Sequence, residues 1–175
     1  MVGHRPLKAS IGVRVPARQL MIKIKPFRQK TGLCGPAVLK MVLAYYGVEK
    51  TEQELAKLTK CDPELGIGGE KMLEVVRKME LDGYIKDHAS LEDLEELVVK
   101  QQIPVIVDWF SEDDGHYSVV VDIDSENIYL QDPEVGHLRA MRRGKFYRVW
   151  FDFPGENIQS ITDLTIRRMI VIVNK

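Results

Sequence analysis

Two hydrophobic periodicities divide this chain of 175 residues. From Pro36 to about Gln102, apolar residues recur three and four positions apart, which is typical of helices that bury one face. After Gln102, short runs of β-branched and aromatic residues are separated by turn residues, which is typical of strands. Helices gathered early and strands gathered late predict an α+β fold, with a helical N-terminal half and an antiparallel β-sheet in the C-terminal half.

Turn and capping residues indicate where several of these elements begin and end. Pro36 suits the first position of a helix, because its missing N–H would be unpaired there, and Gly47 suits the C-cap of the same helix. Thr51 and Glu54 fit a capping box at the start of a second helix. The other expected elements are helices at 69–79 and from residue 90, and strands at 103–109, 116–123, 128–131, 146–153 and 169–173.

Residues 1–20 differ from the rest of the chain. They contain two prolines and four basic residues, and no apolar run as long as the core of a secretory signal peptide. We therefore expect a flexible arm at 1–20 and a single domain at 21–175.

No run of apolar residues is long enough to cross a membrane, so no integral membrane segment is predicted. Two cysteines are too few for a disulfide framework and favour a reducing compartment, so we expect a cytoplasmic protein.

The net charge of −1 conceals an uneven distribution of charge. Residues 1–48 contain nine Lys or Arg and no Asp or Glu, while the remainder has 16 basic and 26 acidic residues, a balance of −10. The basic residues of the first part are scattered singly and are not interleaved with aromatic residues. This pattern is not typical of a nucleic-acid interface, and we predict no nucleic-acid partner.

The common phosphate and metal motifs are missing from the sequence. There is no Walker loop, no G-x-G-x-x-G and no H-E-x-x-H. The residues that could bind zinc, Cys34, Cys61, His116 and His137, lack the close pairing of typical zinc sites. We therefore predict no metal and no cofactor.

Cys34 is the candidate nucleophile. It lies directly before Gly35-Pro36, at the predicted start of the first strong helix, where the helix dipole and the acid-free surroundings favour a thiolate. The alternative is a small apolar residue packed at a turn. Cys61 lies in a loop beside Asp62-Pro63 without such a setting, and we interpret it as structural.

His116 and Asp132 are the candidate partners of this thiol. His116 begins a predicted strand directly after an acidic loop, where a side chain can be aimed into a cleft. Asp132 follows the next strand, and the start of one antiparallel strand lies beside the end of its neighbour, so the two should meet. The aspartate would then fix the orientation and tautomer of the imidazole. The alternatives are a histidine that merely ends a strand and an aspartate that shapes the turn before Pro133.

Three segments, in this order, resemble a known family. The first is QKTGLCGPA at 29–37, followed by MVLAYYG at 41–47 and TEQEL at 51–55. The second is GHYSVVVDID at 115–124, and the third is IYLQDP at 128–133 with the later Phe146 and Trp150. They resemble the nucleophile, histidine and aspartate segments of the bacteriocin-processing, double-glycine-leader cysteine peptidases. The match covers about residues 22 to 153.

The resemblance implies a papain-like fold and a role for each site residue. Cys34 would be the nucleophile, His116 the general base and acid, and Asp132 the residue that orients His116. Gln29 would donate to the oxyanion. The family's glutamine usually stands six residues before its cysteine and Gln29 stands five before, so Arg28 and main-chain amides are alternatives. Papain-like enzymes also use Asn to orient the histidine, so Asp132→Asn is expected to keep a substantial share of activity and Asp132→Ala to lose most of it.

By the same resemblance, we expect a cysteine peptidase that hydrolyses a peptide bond, in a leader peptide or another peptide or protein substrate, through a thioester on Cys34. A non-catalytic peptide-binding or regulatory module on the same fold is one alternative. An acyl transferase that uses the same thioester is another. The best-known members of the family are fused to a membrane transporter and an ATPase, which this sequence lacks, so a separately encoded transporter is an expected partner.

Overall fold

The first half of the molecule is largely helical in the computed structural model, which describes residues 21–112, 114–155 and 157–175. The arm predicted at 1–20 lies outside the described residues. The helical elements are α1 (Cys34–Tyr45), α2 (Glu52–Thr59), α3 (Gly69–Arg77), α4 (Leu91–Leu94), a π-helix that continues α4 (Glu95–Lys100), α5 (Arg143–Val149) and a 3₁₀ turn (Ile161–Asp163).

Helix α1 begins two residues earlier than the proline signal suggests, so that Cys34 is its first residue. Pro36 is the third residue, which still lies in the first turn, where a missing N–H breaks no helical hydrogen bond. At the other end Gly47 adopts a φ of 80° and closes the helix in the left-handed conformation, as predicted. The sulfur of Cys34 is thereby carried at the positive end of the helix dipole.

Capping boxes begin two of the other helices. The hydroxyl of Thr51 accepts a hydrogen bond from the N–H of Glu54 at 3.2 Å, and the Glu54 carboxylate accepts one from the N–H of Thr51 at 2.8 Å. Ser90 and Asp93 make the same pair of bonds at the start of α4. The predicted starts of these helices at Thr51 and Ser90 are confirmed.

A six-stranded sheet forms most of the second half. The described residues form these strands, of which all but β6 and β7 belong to the sheet: β1 (Leu81–Lys86), β2 (Val105–Ser111), β3 (Asp114–Ile123), β4 (Asn127–Asp132), β5 (His137–Arg142), β6 (Phe151–Asp152), β7 (Thr165–Ile166) and β8 (Arg168–Asn174). The sheet has the order β1-β8-β2-β3-β4-β5, and β6 pairs with β7 in a separate ribbon. Every pairing is antiparallel. The predicted α+β class, with an antiparallel sheet in the C-terminal half, is confirmed.

Helices cover the middle of the sheet. Helix α1 packs against β3, α3 packs against β1 and β8, and α5 contacts β2, β4 and β5. Residues 105–107 and 119–120 are fully buried, as expected for strands covered on both faces. In the described part of the chain, no helix has both the length and the apolar character needed to span a membrane.

The predicted strand at 146–153 is wrong. Helix α5 occupies the first half of this segment, and the short strand β6 follows it. Phe146 lies in α5 and Trp150 directly follows the helix, and both are buried with ring centroids 5.1 Å apart. The sheet also contains β1 and β5, which were not predicted. Strand β5 forms one edge of the sheet and has a single buried residue, Met141, so it lacks a strong apolar alternation.

Candidate active site

Cys34 carries a partly exposed thiol at the start of α1. The neighbouring Gly35 packs so closely against Ile67 that a Cβ at this position would overlap the isoleucine side chain. This close approach brings the start of α1 against the connection between α2 and α3. The N–H groups of Cys34 and Gly35 have no main-chain acceptor in the described part of the chain, so they can donate to a negatively charged group at the thiol.

His116 lies near the start of β3 with its ring almost completely buried. Its Nε2 lies 2.8 Å from Oδ1 of Asp132, which leaves Nδ1 available to interact with the neighbouring Cys34. Burial by itself lowers the pKa of His116, but the hydrogen bonds and charges of Asp132 and Cys34 outweigh it and raise the pKa to about 9. The site therefore favours the positively charged ring at neutral pH.

Asp132 ends β4 and is completely buried. Its Oδ1 also accepts the N–H of Glu134 at 2.9 Å, and its Oδ2 lies 3.1 Å from Nε of Arg139. Burial by itself would raise the pKa of Asp132. The hydrogen bond and charge of His116, followed by the charge of Arg139, instead hold this pKa below its ordinary value. The expected meeting of His116 and Asp132 is confirmed, because β3 and β4 are antiparallel neighbours.

Gln29 lies beside the turn that follows Asp132. Its N–H donates to the carbonyl of Pro133 at 2.9 Å. Its Oε1 is buried without a hydrogen-bond partner in the described part of the chain, which is rare for a buried amide group. Arg28, the alternative donor, is exposed, and the stem of its side chain packs against Gly136. Of the two residues, Gln29 is the one with a buried polar group that lacks a partner.

Cys61 lies near Cys34 but in a different setting. Its Sγ faces the carbonyl oxygens of Gly32 and Asp62, at 3.8 and 3.6 Å. Burial above all, then the charge at Cys34 and two nearby carboxylates, raise the pKa of Cys61 to about 11. Because the thiolate is the reactive form of a cysteine, this raised pKa disfavours reaction of Cys61 at neutral pH.

Two further residues contact this site, and neither was predicted. Trp109 is paired with His116 across β2 and β3, and their ring centroids lie 5.8 Å apart at an angle of 70°. The guanidinium of Arg139 lies over the Trp109 ring, 5.6 Å from its centroid. Both contacts depend on which strands are neighbours in the sheet, and this information is not contained in local periodicity.

The acidic residues of the site come close enough to share a metal ion with His116. One ligand atom each of His116, Asp132 and Glu134 lies within 4.8 Å of the others. The guanidinium of Arg139, however, lies 3.1 Å from Asp132 and 3.6 Å from Glu134, and it balances both carboxylates. A metal ion would have to displace this cation, so we assign no metal site here.

A second acidic pair lies next to the residue that precedes His116. Asp108 in β2 is 3 % exposed, and its carboxyl group lies near that of Asp152 in β6. Asp152 packs against Gly115, where a Cβ would overlap its carboxyl group. Burial, followed by the charge and hydrogen bond of Asp152, raises the pKa of Asp108 well above its ordinary value. Two neighbouring carboxyl groups in a buried place cannot both be charged at low cost, so we expect them to share one proton.

We expect Asp108→Asn to stabilise the protein increasingly as the pH rises. In the wild type, the folded protein binds the shared proton more tightly than the unfolded chain, so the proton stabilises the fold. This stabilisation of the wild type is complete below the ordinary aspartate pKa of 3.8 and is lost as the pH rises through the higher folded-state pKa. An asparagine amide would donate to Asp152 at every pH. Melting temperatures of variant and wild type, compared from about pH 4 to about pH 9, should diverge in favour of the variant. A constant difference would contradict the shared proton.

Residues 26–153 match the Peptidase C39 family. An uncharacterized protein of Methanothermobacter marburgensis is 32 % identical over 124 residues, which cover 70 % of this chain and 80 % of that protein. An uncharacterized protein of Methanothermobacter thermautotrophicus is also 32 % identical, over 129 residues that cover 67 % of this chain and 75 % of that protein.

The fold is similar to that of solved peptidase domains. The peptidase domain of Streptococcus ComA, a bi-functional ABC transporter of a quorum-sensing pathway, gives a TM-score of 0.67 at 22 % identity and covers 87 % of this chain and 100 % of that one. A double-glycine-motif protease from an AMS/PCAT transporter, in complex with the leader peptide, gives a TM-score of 0.68 at 19 % identity and covers 89 % of this chain and 94 % of that one. A C39-like peptidase from Bacillus anthracis gives a TM-score of 0.63 at 17 % identity and covers 90 % of this chain and 99 % of that one.

These likenesses confirm the papain-like fold that the three sequence segments implied. The match of the family along residues 26–153 confirms the resemblance itself. The chain belongs to the Peptidase C39 family.

Proposed function

We propose that this chain is a cysteine peptidase that hydrolyses a peptide bond through a thioester on Cys34. The observation that carries the proposal is the buried ring of His116, which contacts Asp132 at 2.8 Å and whose pKa is raised by both Asp132 and the neighbouring Cys34. A buried imidazole between a thiol and a carboxylate can take a proton, hold it as a positive charge and return it. Membership of a peptidase family supports the same reaction class.

The first half of the reaction forms the thioester. The proton of the Cys34 thiol passes to Nδ1 of His116, and the sulfur attacks the carbonyl carbon of the scissile bond. As the carbon–nitrogen bond breaks, Nδ1 gives the proton to the leaving amine. Asp132 keeps the ring oriented through the contact between Oδ1 and Nε2, and the raised pKa of His116 favours the charged ring during attack.

Negative charge on the carbonyl oxygen is stabilised by donors near the thiol. The free N–H of Cys34 at the start of α1 is one such donor. The side-chain amide of Gln29 is the other, and its location beside the turn after Asp132 supports this role.

The second half of the reaction releases the acid. A water molecule replaces the leaving amine, and Nδ1 of His116 removes a proton from it as its oxygen attacks the thioester carbon. The carbon–sulfur bond then breaks, the acid leaves, and the proton returns from Nδ1 to the sulfur of Cys34.

We further propose a leader peptide as the substrate and a separately encoded transporter as the partner, in the cytoplasm. Two of the similar peptidase domains come from transporters, and one of them was solved with a leader peptide. These relatives support a peptide that is cut before or during export.

Cleavage of a synthetic peptide library tests the proposed reaction. The library carries double-glycine pairs in varied sequence contexts, and the products are identified by mass spectrometry after incubation in ¹⁸O-labelled water. We expect new carboxyl termini that contain one solvent oxygen. Products that carry an added amine would instead indicate acyl transfer, and uncut peptides that co-elute with the protein would indicate a binding module.

Iodoacetamide should modify Cys34 at least roughly tenfold faster than Cys61 at neutral pH, because the thiolate is the reactive species. Cys34 has His116 to hold its proton, whereas Cys61 has a pKa raised to about 11. His116→Ala should slow the modification of Cys34 and leave that of Cys61 unchanged. Peptide mapping of the alkylated protein measures both rates, and equal rates in the wild type would contradict an activated thiol at Cys34.

A further inference from the structure

We infer that Arg139 is a positioning residue that makes a carboxylate, and not an amide, necessary at position 132. This role deepens the proposed function and rests on it. Papain-like enzymes use an asparagine to orient the histidine, and from the sequence alone Asp132→Asn is expected to be well tolerated. The contacts of Arg139 reverse that expectation.

Arg139 is held in a fixed position within the site. Its Nη1 donates to Oγ of Ser111 at 3.4 Å, and its Nη2 lies 3.6 Å from the carboxylate of Glu134. Its guanidinium lies over the ring of Trp109, and only 24 % of the side chain is exposed. A cation with this many contacts cannot swing into solvent without losing all of them.

Among the described residues, the groups in direct contact with the carboxylate of Asp132 are two donors and one cation. His116 Nε2 and the N–H of Glu134 point at Oδ1, at 2.8 and 2.9 Å. Arg139 Nε lies 3.1 Å from Oδ2 but is not aligned for a hydrogen bond, so the guanidinium acts on Oδ2 as a positive charge. A guanidinium has no acceptor atom, so only a negatively charged or accepting group suits this side. A carboxylate satisfies both sides at once.

An asparagine at position 132 can satisfy only one side. With its oxygen toward His116, its NH₂ group faces the Arg139 guanidinium, and a partly buried cation loses its nearer carboxylate and keeps only Glu134, at 3.6 Å. With its oxygen toward Arg139, its NH₂ group faces Nε2 of His116. Nε2 must then accept, the ring proton moves to Nδ1, and the ring can no longer take the proton of Cys34. The positive charge of Arg139 favours the second orientation, because only an oxygen suits that side, and the second orientation removes the proton acceptor that Cys34 needs.

A suppressor experiment tests this role of Arg139. We expect Asp132→Asn to lower peptide cleavage and the alkylation rate of Cys34 at neutral pH on the order of 10²-fold. Arg139→Gln alone should cost less than roughly tenfold, because a glutamine amide can donate to Oδ2 of Asp132 in place of the positive charge of Arg139. The double variant should exceed Asp132→Asn alone by at least roughly tenfold, since the glutamine oxygen accepts from the asparagine NH₂ group.

The matched control is Asp132→Asn combined with Arg142→Gln. Arg142 is an exposed arginine on the same strand, paired with Glu126, so this variant makes the same change of charge away from the site. Its peptide cleavage and its alkylation rate of Cys34 should stay at the level of Asp132→Asn alone. Recovery with both arginine variants would indicate a general effect of charge and would overturn the specific role of Arg139.

A spectroscopic measurement separates this inference from the proposed function. The ¹⁵N shifts of the His116 ring should show a protonated Nε2 in the wild type, an unprotonated Nε2 in Asp132→Asn, and a protonated Nε2 again in the double variant with Arg139→Gln. These shifts require no catalysis, so they can hold even if the protein cleaves no peptide. An unchanged ring in Asp132→Asn, or no recovery in the double variant, would overturn the role of Arg139.

A loss of stability would not hide the result. If Asp132→Asn unfolds at a lower temperature, the double variant with Arg139→Gln should melt at a higher temperature than Asp132→Asn alone, because the guanidinium that lost its nearer carboxylate has been removed. Equal melting temperatures of the two variants would then count against the inference.

Discussion

Cys34→Ala should abolish peptide cleavage, with turnover falling at least about 10⁴-fold, the scale on which loss of a nucleophile acts. Without the sulfur no thioester can form, and the residual site can only bind the peptide and polarise its carbonyl group. The fold should survive, because Cys34 is partly exposed at the start of a helix. Mass spectrometry of the peptide library gives the turnover, and circular dichroism gives the melting temperature.

Cys61→Ala is the matched control for this substitution. It removes the second thiol of the chain, also partly exposed and close to Cys34, while leaving His116 and Asp132 in place. Cleavage should be largely retained. Cleavage that survives Cys34→Ala would remove the thioester from the mechanism, and a loss confined to Cys61→Ala would transfer the nucleophile to Cys61.

Gln29→Ala should lower turnover on the order of 10²–10³-fold, the usual effect of losing one donor to an oxyanion. The main chain of Gln29 is held by its bond to Pro133, and this bond does not depend on the side chain. The variant should therefore keep its melting temperature and its affinity for uncut peptide. Turnover and KM measured on one cleaved peptide separate the two effects, with the loss expected in turnover.

Arg28→Ala is the corresponding control, since Arg28 occupies the position six residues before Cys34. Its side chain is exposed, and the variant should cleave as the wild type does. If Gln29→Ala costs less than about threefold, the donor would be Arg28 or the main-chain amides alone. A large loss in Arg28→Ala would then select Arg28.

The helical half of the fold could be predicted because its signals are local. Thr51 and Glu54 satisfy each other within one turn, and Gly47 closes α1 by its own conformation. Strand β5 could not be predicted, because it is an edge strand and its pairing with β4, rather than its apolar content, stabilises it.

The wrong prediction of a strand where α5 lies has a related cause. Phe146 and Trp150 suit a strand by composition but a helix by spacing, and their packing near Trp109 favours the helix.

The part of the candidate site that lies on consecutive strands could be predicted from the sequence, and the part on an unpredicted strand could not. His116 and Asp132 belong to consecutive strands, so the simplest antiparallel connection brings them together. Arg139 belongs to the unpredicted strand β5, and an arginine in a segment that also contains Arg142 and Arg143 carries no signal of the carboxylate that it will face. The expectation for Asp132→Asn changed for this reason, since the amide was compatible with every residue that sequence reasoning had placed nearby.

Four neighbouring strands each contribute one side chain to the site: Trp109 from β2, His116 from β3, Asp132 from β4 and Arg139 from β5. Side chains alternate between the faces of a strand, so a slip of one residue in any pairing would carry a member of this set to the opposite face. The turn between β3 and β4, at residues 124–126, lies at the far end of these strands. Extra residues inserted there would lengthen the turn without changing which residues pair near His116, whereas insertions within the strands would separate the four side chains.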